Sequence, residues 1–412
     1  MTPKEPDALA RLVGDDTAGF AREHWGRAPL LTRSADGVAD LFSAGAVDEL
    51  IADRAMRTPF VRMAKEGVVL SAERFTGGAG YGAEVADQVR ADAVLTEFTN
   101  GATLVLQGLH RTWPALADFT TRLVRELGHP CQVNAYVTPA SARGFDPHYD
   151  VHDVFVVQVH GEKHWRIHEP VLENPAEPWT TVRAEVEARA EKEPAIDAVF
   201  APGDVLYLPR GWIHSATALG GTSIHLTIGV AAFTGSDIAD RALALAAGAD
   251  GLRASLPLGF DPADVADLGP LVDHALDALA ARFAEPEFRA EVAASVAGTL
   301  GGRLLASARP EPVRPLATAD ALAVLDRSTP VGWRRGTGAT VVREGDAVRI
   351  VRLHPRPTVR LPVEAAAALE ALAAGHPLRA GSLPGLDESS SLVVSRRLLR
   401  EGILVPRPDG AA

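Results

Sequence analysis

Six of the thirteen histidines in this 412-residue chain, His148, His152, His160, His164, His168 and His214, fall between positions 148 and 214. Such clustering calls for a metal hypothesis. In Asp146-Pro147-His148-Tyr149-Asp150, His148 and Asp150 are two positions apart, so on extended backbone both side chains leave the same face and can meet one ion. His214 closes Leu208-Pro209-Arg210-Gly211-Trp212-Ile213-His214, just past an expected strand and a Pro/Gly turn. Two histidines and one carboxylate form a facial triad that leaves three adjacent positions open. That suits non-haem Fe(II) taking a bidentate co-substrate and O₂ together, whereas zinc is usually closed in a tetrahedron. A His-x-Asp pair by itself is more often a surface hydrogen-bonding turn, and the metal reading rests on what accompanies it.

Lys163 is the main companion. In Lys163-His164-Trp165-Arg166-Ile167-His168 the alternation puts Lys163, Trp165 and Ile167 on one face, and a buried ammonium there requires an anion. On the strand expected from Gln132 to Val137, Gln132, Asn134 and Tyr136 share a face. A lysine, a tyrosine hydroxyl and an amide make a cradle for the distal carboxylate of 2-oxoglutarate, whose other end would chelate the metal. His164 and His168 point away from Lys163 and read as outward or packing residues. His152 shares parity with His148 and Asp150 and reads as a group behind the ligands or a decoy. His160 is left as a residue of the substrate cleft, and Tyr149 as packing.

The elements that would hold these residues follow from local pattern. Residues 1 to about 125 read as mixed helix and strand, with a helical run at Phe20–Trp25, an amphipathic segment around Val47–Arg57 and a loop at Gly77–Gly80. From Cys131 to Val230 come short β-branched runs at Gln132–Val137, Val154–Val159, Lys163–His168, Val205–Leu208 and Ser223–Val230, the texture of a closed or double-sheet barrel. The charged run Glu185–Glu193 reads as an excursion over its mouth. Residues 236–306 carry helical patterns, Leu268–Phe283 and Phe288–Leu305, without a strand. After Pro310–Pro315, strands at Val348–Leu353 and Thr358–Leu361, helices at Val363–Ala373 and about Ser390–Arg400, and a final strand at Gly402–Pro406 have the order of a winged helix.

Composition limits the partners. With 41 basic and 53 acidic residues the net charge is −12, so direct nucleic-acid binding is not expected, and Arg396, Arg397 and Arg400 read as a solvated basic face. The single cysteine, Cys131, excludes an internal disulfide and any zinc site built on two thiolates of this chain. Neither a secretory signal in Met1–Asp16 nor an apolar run of about 18 residues is found, and the expectation is a cytoplasmic protein away from membranes.

Several stretches together resemble the JmjC-domain ribosomal oxygenases of the cupin superfamily: His148-Tyr149-Asp150, Asp153-Val154-Phe155-Val156-Val157-Gln158, Gly161-Glu162-Lys163-His164-Trp165 and the run from Gly203 to His214. Phe20–Leu31, Leu106–Arg111 and Leu252–Gly259 are also similar. The resemblance implies an α+β fold: a double-stranded β-helix (cupin/JmjC jelly roll), an all-helical dimerisation module and a C-terminal winged-helix domain. The expected divisions are a catalytic domain over 1–235 with its barrel at about 131–230, the helical module over 236–306 and the winged-helix-like domain over 316–412. It further implies Fe(II) held by His148, Asp150 and His214, with 2-oxoglutarate gripped by Lys163 and assisted by Asn134 and Tyr136. Ser223, His225 and Thr227 share a face that could line the site, and Thr227 joins the co-substrate set.

The activity so implied is hydroxylation, with O₂, of an arginine or histidine side chain in a ribosomal protein, by a homodimer. The Ala/Arg-rich composition leaves open a natural-product peptide as substrate, and a free amino acid or a tRNA base is a further alternative. A catalytically silent cupin or winged-helix regulator is the reading from another class, which retention of the three ligands and Lys163 argues against. Histone-type demethylation is weaker, because one cysteine cannot build a zinc-finger reader.

Overall fold

The structure is a computed structural model that describes residues 7–408 except 36, 83, 141–145, 308, 353–357 and 377, and leaves aside the side chains of 250 and 251. It forms two compact units, Met1–Ala232 and Phe233–Ala412. The first is built on nine strands: β1 (Leu30–Thr32), β2 (Val61–Lys65), β3 (Val68–Val69), β4 (Thr103–Leu106), β5 (Cys131–Thr138), β6 (Asp153–His168), β7 (Ile196–Phe200), β8 (Val205–Leu208) and β9 (Ile213–Val230). Their order is β1-β8-β6-β9-β5-β4-β2-β3, with β7 beside β6.

Two long strands make this a double-stranded β-helix. The first half of β6 pairs with β8 and with the second half of β9, while its second half, from Lys163 on, pairs with β7 and the first half of β9. Each long strand therefore belongs to two sheets, and the space between the sheets is the barrel interior. Val154, Val156, Trp165, Ile167, Phe200, Leu206 and Leu208 cluster there in the alternation that packed sheets require. The runs expected at Val154–Val159 and Lys163–His168 are thus one strand, and Ser223–Val230 is only the second half of β9. Gly161 explains the misreading. It stands at a φ of +62°, and a Cβ there would come 2.2 Å from the Thr222 carbonyl oxygen, so glycine lets the strand bend and continue where the pattern suggested an end.

Helices flank this frame. The amphipathic segment near Val47 is the helix Ala44–Asp53, and Pro114–Leu127 starts on its proline and buries Leu116, Phe119, Leu123 and Val124. The charged excursion folds as a helix over Arg183–Ala190, pinned by fully buried Val186 in a cluster with Tyr149 and Ile213.

In the second unit, helices run over Gly235–Ala246, Val265–Ala284 and Pro286–Ser307, with no strand among the described residues between 236 and 306. Beyond them lie strands at Pro330–Trp333, Thr340–Glu344, Ala347–Val351, Val359–Pro362 and Leu404–Pro406, and helices at Ala366–Ala373 and Glu388–Arg400. Val331, Val348, Ile350, Leu369, Leu372, Leu398 and Leu404 share one core. The strand expected to reach Leu353 ends at Val351, and Leu353 lies outside the described residues. Pro330–Trp333 and Thr340–Glu344 were not anticipated, being short and lacking a clean alternation. Of the three basic residues on the last helix, Arg397 pairs with Glu401 at 3.2 Å and Arg396 donates to the Leu322 carbonyl at 3.0 Å. No helix among the described residues is long and apolar enough to cross a membrane.

Candidate active site

His148 and His214 are brought together by backbone. Each donates its N–H to the other's carbonyl, at 3.2 Å and 2.8 Å, and the ring centroids lie 4.4 Å apart. The Nδ1 of His148 lies 2.7 Å from the Asp146 carbonyl oxygen and that of His214 lies 3.0 Å from the Trp212 carbonyl oxygen. A carbonyl only accepts, so both histidines carry the proton on Nδ1 and keep the Nε2 lone pair for a metal. Burial and the neighbouring His148 hold the His214 imidazole well below its ordinary pKa, so it is neutral at pH 7. Asp150 Oδ2 stands 3.9 Å from His214 Nε2.

The loop between is held in place as well. Gly211 donates to the Asp150 carbonyl at 3.0 Å from a φ of +87°, and a Cβ on it would meet the Leu172 carbonyl oxygen at 2.8 Å. Among the described residues no three His, Cys, Asp or Glu side chains are already closed around one point. The 3.9 Å between Asp150 and His214 is longer than the roughly 3 Å between neighbouring donors on one ion, so the carboxylate would have to move toward His214 to share a metal with it. The donor set of two imidazoles and a carboxylate fits Fe(II).

These three residues open on a cavity of about 250 Å³, whose wall also includes Lys163, Tyr136 and Thr227. Lys163, 2% exposed, donates to Thr138 Oγ1 at 3.0 Å and His225 Nδ1 at 3.2 Å, both neutral acceptors. Burial lowers its pKa to about 7. Burial and the Lys163 charge keep His225 neutral, so its Nδ1 accepts and its proton sits on Nε2. The His225 ring stacks on Tyr136 with centroids 5.1 Å apart and meets Trp165 edge-on at 5.2 Å. Burial raises the pKa of the Tyr136 phenol, which keeps it a hydrogen-bond donor.

Asn134 is placed differently from the others. Its Oδ1 accepts from the Gly108 N–H at 3.0 Å, bracing the turn after β4, and it is not on the cavity wall. His152, His160, His164 and His168 are also off the wall. His164 pairs with Asp197, His168 is buried as packing, His160 is exposed, and Tyr149 is 2% exposed with its hydroxyl on the Glu177 carbonyl. Arg62, Thr103 and Thr138 are wall residues that sequence reasoning missed. The cross-strand register brings them in, Thr103 beside Thr138 and Arg62 in line with Tyr136, and that register was not available from local pattern.

Comparison with known proteins bears on this site. Residues 111–238 match the family described as JmjC domain. The chain is 32% identical over 212 residues to "Ribosomal oxygenase 1" of Gallus gallus, a match covering 51% of this chain and 34% of the relative. It is 29% identical over 226 residues to "Bifunctional lysine-specific demethylase and histidyl-hydroxylase NO66" of Drosophila pseudoobscura pseudoobscura, covering 53% and 22%. The chain thus spans about a third or less of the length of these curated relatives. Among solved structures, the Escherichia coli ribosomal oxygenase YcfD superposes with a TM-score of 0.51 at 19% identity over 95% of this chain and 98% of that one. A second structure of YcfD, in complex with cobalt and succinic acid, gives a TM-score of 0.51 at 20% identity, covering 96% and 99%. The structural likeness shows the cupin fold, and the family match shows that residues 111–238 form a JmjC domain similar to that of the ribosomal oxygenases.

Proposed function

We propose that this protein is an Fe(II)- and 2-oxoglutarate-dependent oxygenase that hydroxylates an arginine or histidine side chain of a ribosomal protein. The observation that carries the proposal is the opening of His148, Asp150, His214 and Lys163 onto one cavity. His148, Asp150 and His214 would hold the iron, and Lys163, with Tyr136 and Thr227, the co-substrate. Iron and 2-oxoglutarate supply the oxidising chemistry with O₂, as cofactors do, and the chain supplies position and electrostatics.

The cavity's own residues fit that division. The two imidazoles are fixed by backbone carbonyls, so their lone pairs are aimed before any ligand arrives. Lys163 has only neutral partners, and a carboxylate would supply the missing counter-charge for its buried ammonium. Val154, Val156 and Trp165 give the same wall an apolar surface that keeps water from the reacting carbon. The names of the relatives support a ribosomal oxygenase over the other hydroxylases, and the succinic acid in the YcfD complex fits 2-oxoglutarate as the co-substrate of any of them.

The same proposal assigns residues 236–306 to a dimerisation module and 316–412 to a winged-helix-like domain, with ribosomal protein and not nucleic acid as partner. The test is intact-protein mass spectrometry of ribosomal proteins from cells with and without this gene. One protein should carry a single added oxygen only when the gene is present, and identical spectra would overturn the ribosomal assignment.

A further inference from the structure

The cavity holds more donor capacity than the residues discussed so far use. Arg62, on β2 and outside the segment that matches the JmjC domain, lies on its wall. The register places Arg62 opposite Val105, Val105 opposite Tyr136 and Tyr136 opposite His225, so these residues form one row on one face of four strands. The Arg62 side chain is hydrogen-bonded to the Tyr136 hydroxyl at one end of the row, and Lys163 to His225 at the other. Arg62 Nε is buried with no hydrogen-bond partner among the described residues. Trp165 Nε1, on the same wall, is in the same condition. Two buried N–H groups left without acceptors are costly, and buried polar groups in folded proteins are nearly always satisfied. A ligand that brings acceptors resolves both.

We infer that Arg62 is a second cationic anchor of this cavity: its Nε–H binds the carboxylate adjoining the 2-oxo group while Lys163 binds the distal one, so the pair selects a dicarboxylate. The inference rests on the co-substrate assignment above and adds a residue to it. Two cations at the two ends of one row match a ligand charged at both ends. Tyr136, which bonds Arg62, is within reach of the Asp150 charge, and His225, which bonds Lys163, is within reach of His214; with Lys163 taken by the distal carboxylate, the 2-oxo end is left to Arg62. Guanidinium suits this place better than ammonium because its donors are fixed in a plane and pair with a carboxylate side by side.

The experiment uses zinc-loaded full-length protein, so that binding is read without turnover, and measures dissociation constants for 2-oxoglutarate and for pyruvate, which lacks the distal carboxylate. Arg62→Leu should weaken both ligands by a common factor of roughly 10 to 100. Lys163→Met should weaken 2-oxoglutarate and leave pyruvate unchanged. Arg62→Lys, which keeps the charge and loses the fork, should fall between wild type and Arg62→Leu, and it decides the matter if Arg62→Leu does not fold. Wild-type affinity for both ligands in the Arg62 variants overturns the anchor. Weakening of 2-oxoglutarate without weakening of pyruvate overturns its placement at the 2-oxo end. Failure of the wild-type protein to bind 2-oxoglutarate would instead sink the co-substrate assignment itself, and this inference with it.

Discussion

His148 and His214 exchange a reciprocal pair of backbone hydrogen bonds, so two candidate ligands far apart in sequence are registered by main chain and not by their side chains. The ladder fixes their Cα positions, and the carbonyls of Asp146 and Trp212 fix the tautomers. Position and protonation are therefore set before a metal arrives, which is what an open site with only three protein ligands requires.

Removing any one ligand should empty the site without unfolding the barrel. His148→Ala, Asp150→Ala and His214→Ala should each lower iron affinity by at least 10-fold and abolish 2-oxoglutarate turnover, since losing a group that merely orients a ligand typically costs that much. The backbone bridge survives alanine, so melting temperatures should stay within a few degrees of wild type. Full turnover in any of the three with iron supplied would refute the metal assignment.

Lys163 gives the co-substrate a pH signature. Burial holds its pKa near 7 in the empty cavity, below an ordinary lysine, so the cation that binds a carboxylate is present below pH 7 and lost above it. Affinity for 2-oxoglutarate should be level from about pH 6 to 7, then fall about tenfold per unit. Titrations of Lys163→Met should show weak binding with no such break. The stability sign runs the other way. Between the folded value near 7 and the unfolded value near 10.5 the unfolded chain binds the extra proton, so this group makes the ligand-free fold more stable as pH rises through that window. Urea midpoints at pH 7 and pH 9, compared with those of Lys163→Met, check it.

The site was legible in the sequence where period-two backbone carried it. His148 and Asp150 show their shared face from spacing alone, and Lys163 shows its inward side by parity with Trp165. Arg62 could not be found that way. It lies on a strand distant in sequence and reaches the cavity only through the register Arg62–Val105–Tyr136, a tertiary fact with no local trace. Asn134 shows the opposite limit: its face was right, but a turn at Gly108 claims its oxygen. In sequence β6 reads as two short strands and only the second half of β9 as a strand, because a bend at glycine and a strand end look alike there.

Gly211 should tolerate no side chain. Its φ of +87° and the 2.8 Å approach of a Cβ to the Leu172 carbonyl mean that Gly211→Ala must move backbone on one side or the other. The expected cost is about 2 kcal/mol or more, a drop in melting temperature of several degrees. Because the Gly211 N–H holds the Asp150 carbonyl, iron affinity should fall along with stability. A Gly211→Ala protein with wild-type melting and metal binding would show that the loop is not fixed as described.

The helix Val265–Ala284 carries the assembly prediction. Leu268, Leu271, Val272, Leu276, Leu279 and Phe283 recur at helical spacing, and the unit itself covers only part of this stripe, with none of the six fully buried. At the C-terminal end Phe283 stacks on Phe288 with centroids 6.1 Å apart, and the Arg282 guanidinium sits 4.3 Å from the Phe288 ring centre. Further up, Val272 is 51% exposed and Leu276 57%. A second copy would bury both stripes across one two-fold axis, the usual economy of an isologous dimer. Light scattering of the wild-type protein at micromolar concentration should therefore give a mass near twice 43.4 kDa. Leu276→Asp with Leu279→Asp should give single chains of lowered stability, because half-buried Leu279 also packs within its own unit. A wild-type mass near one chain would refute the dimer, and an unchanged mass in the double variant would place the interface on another face.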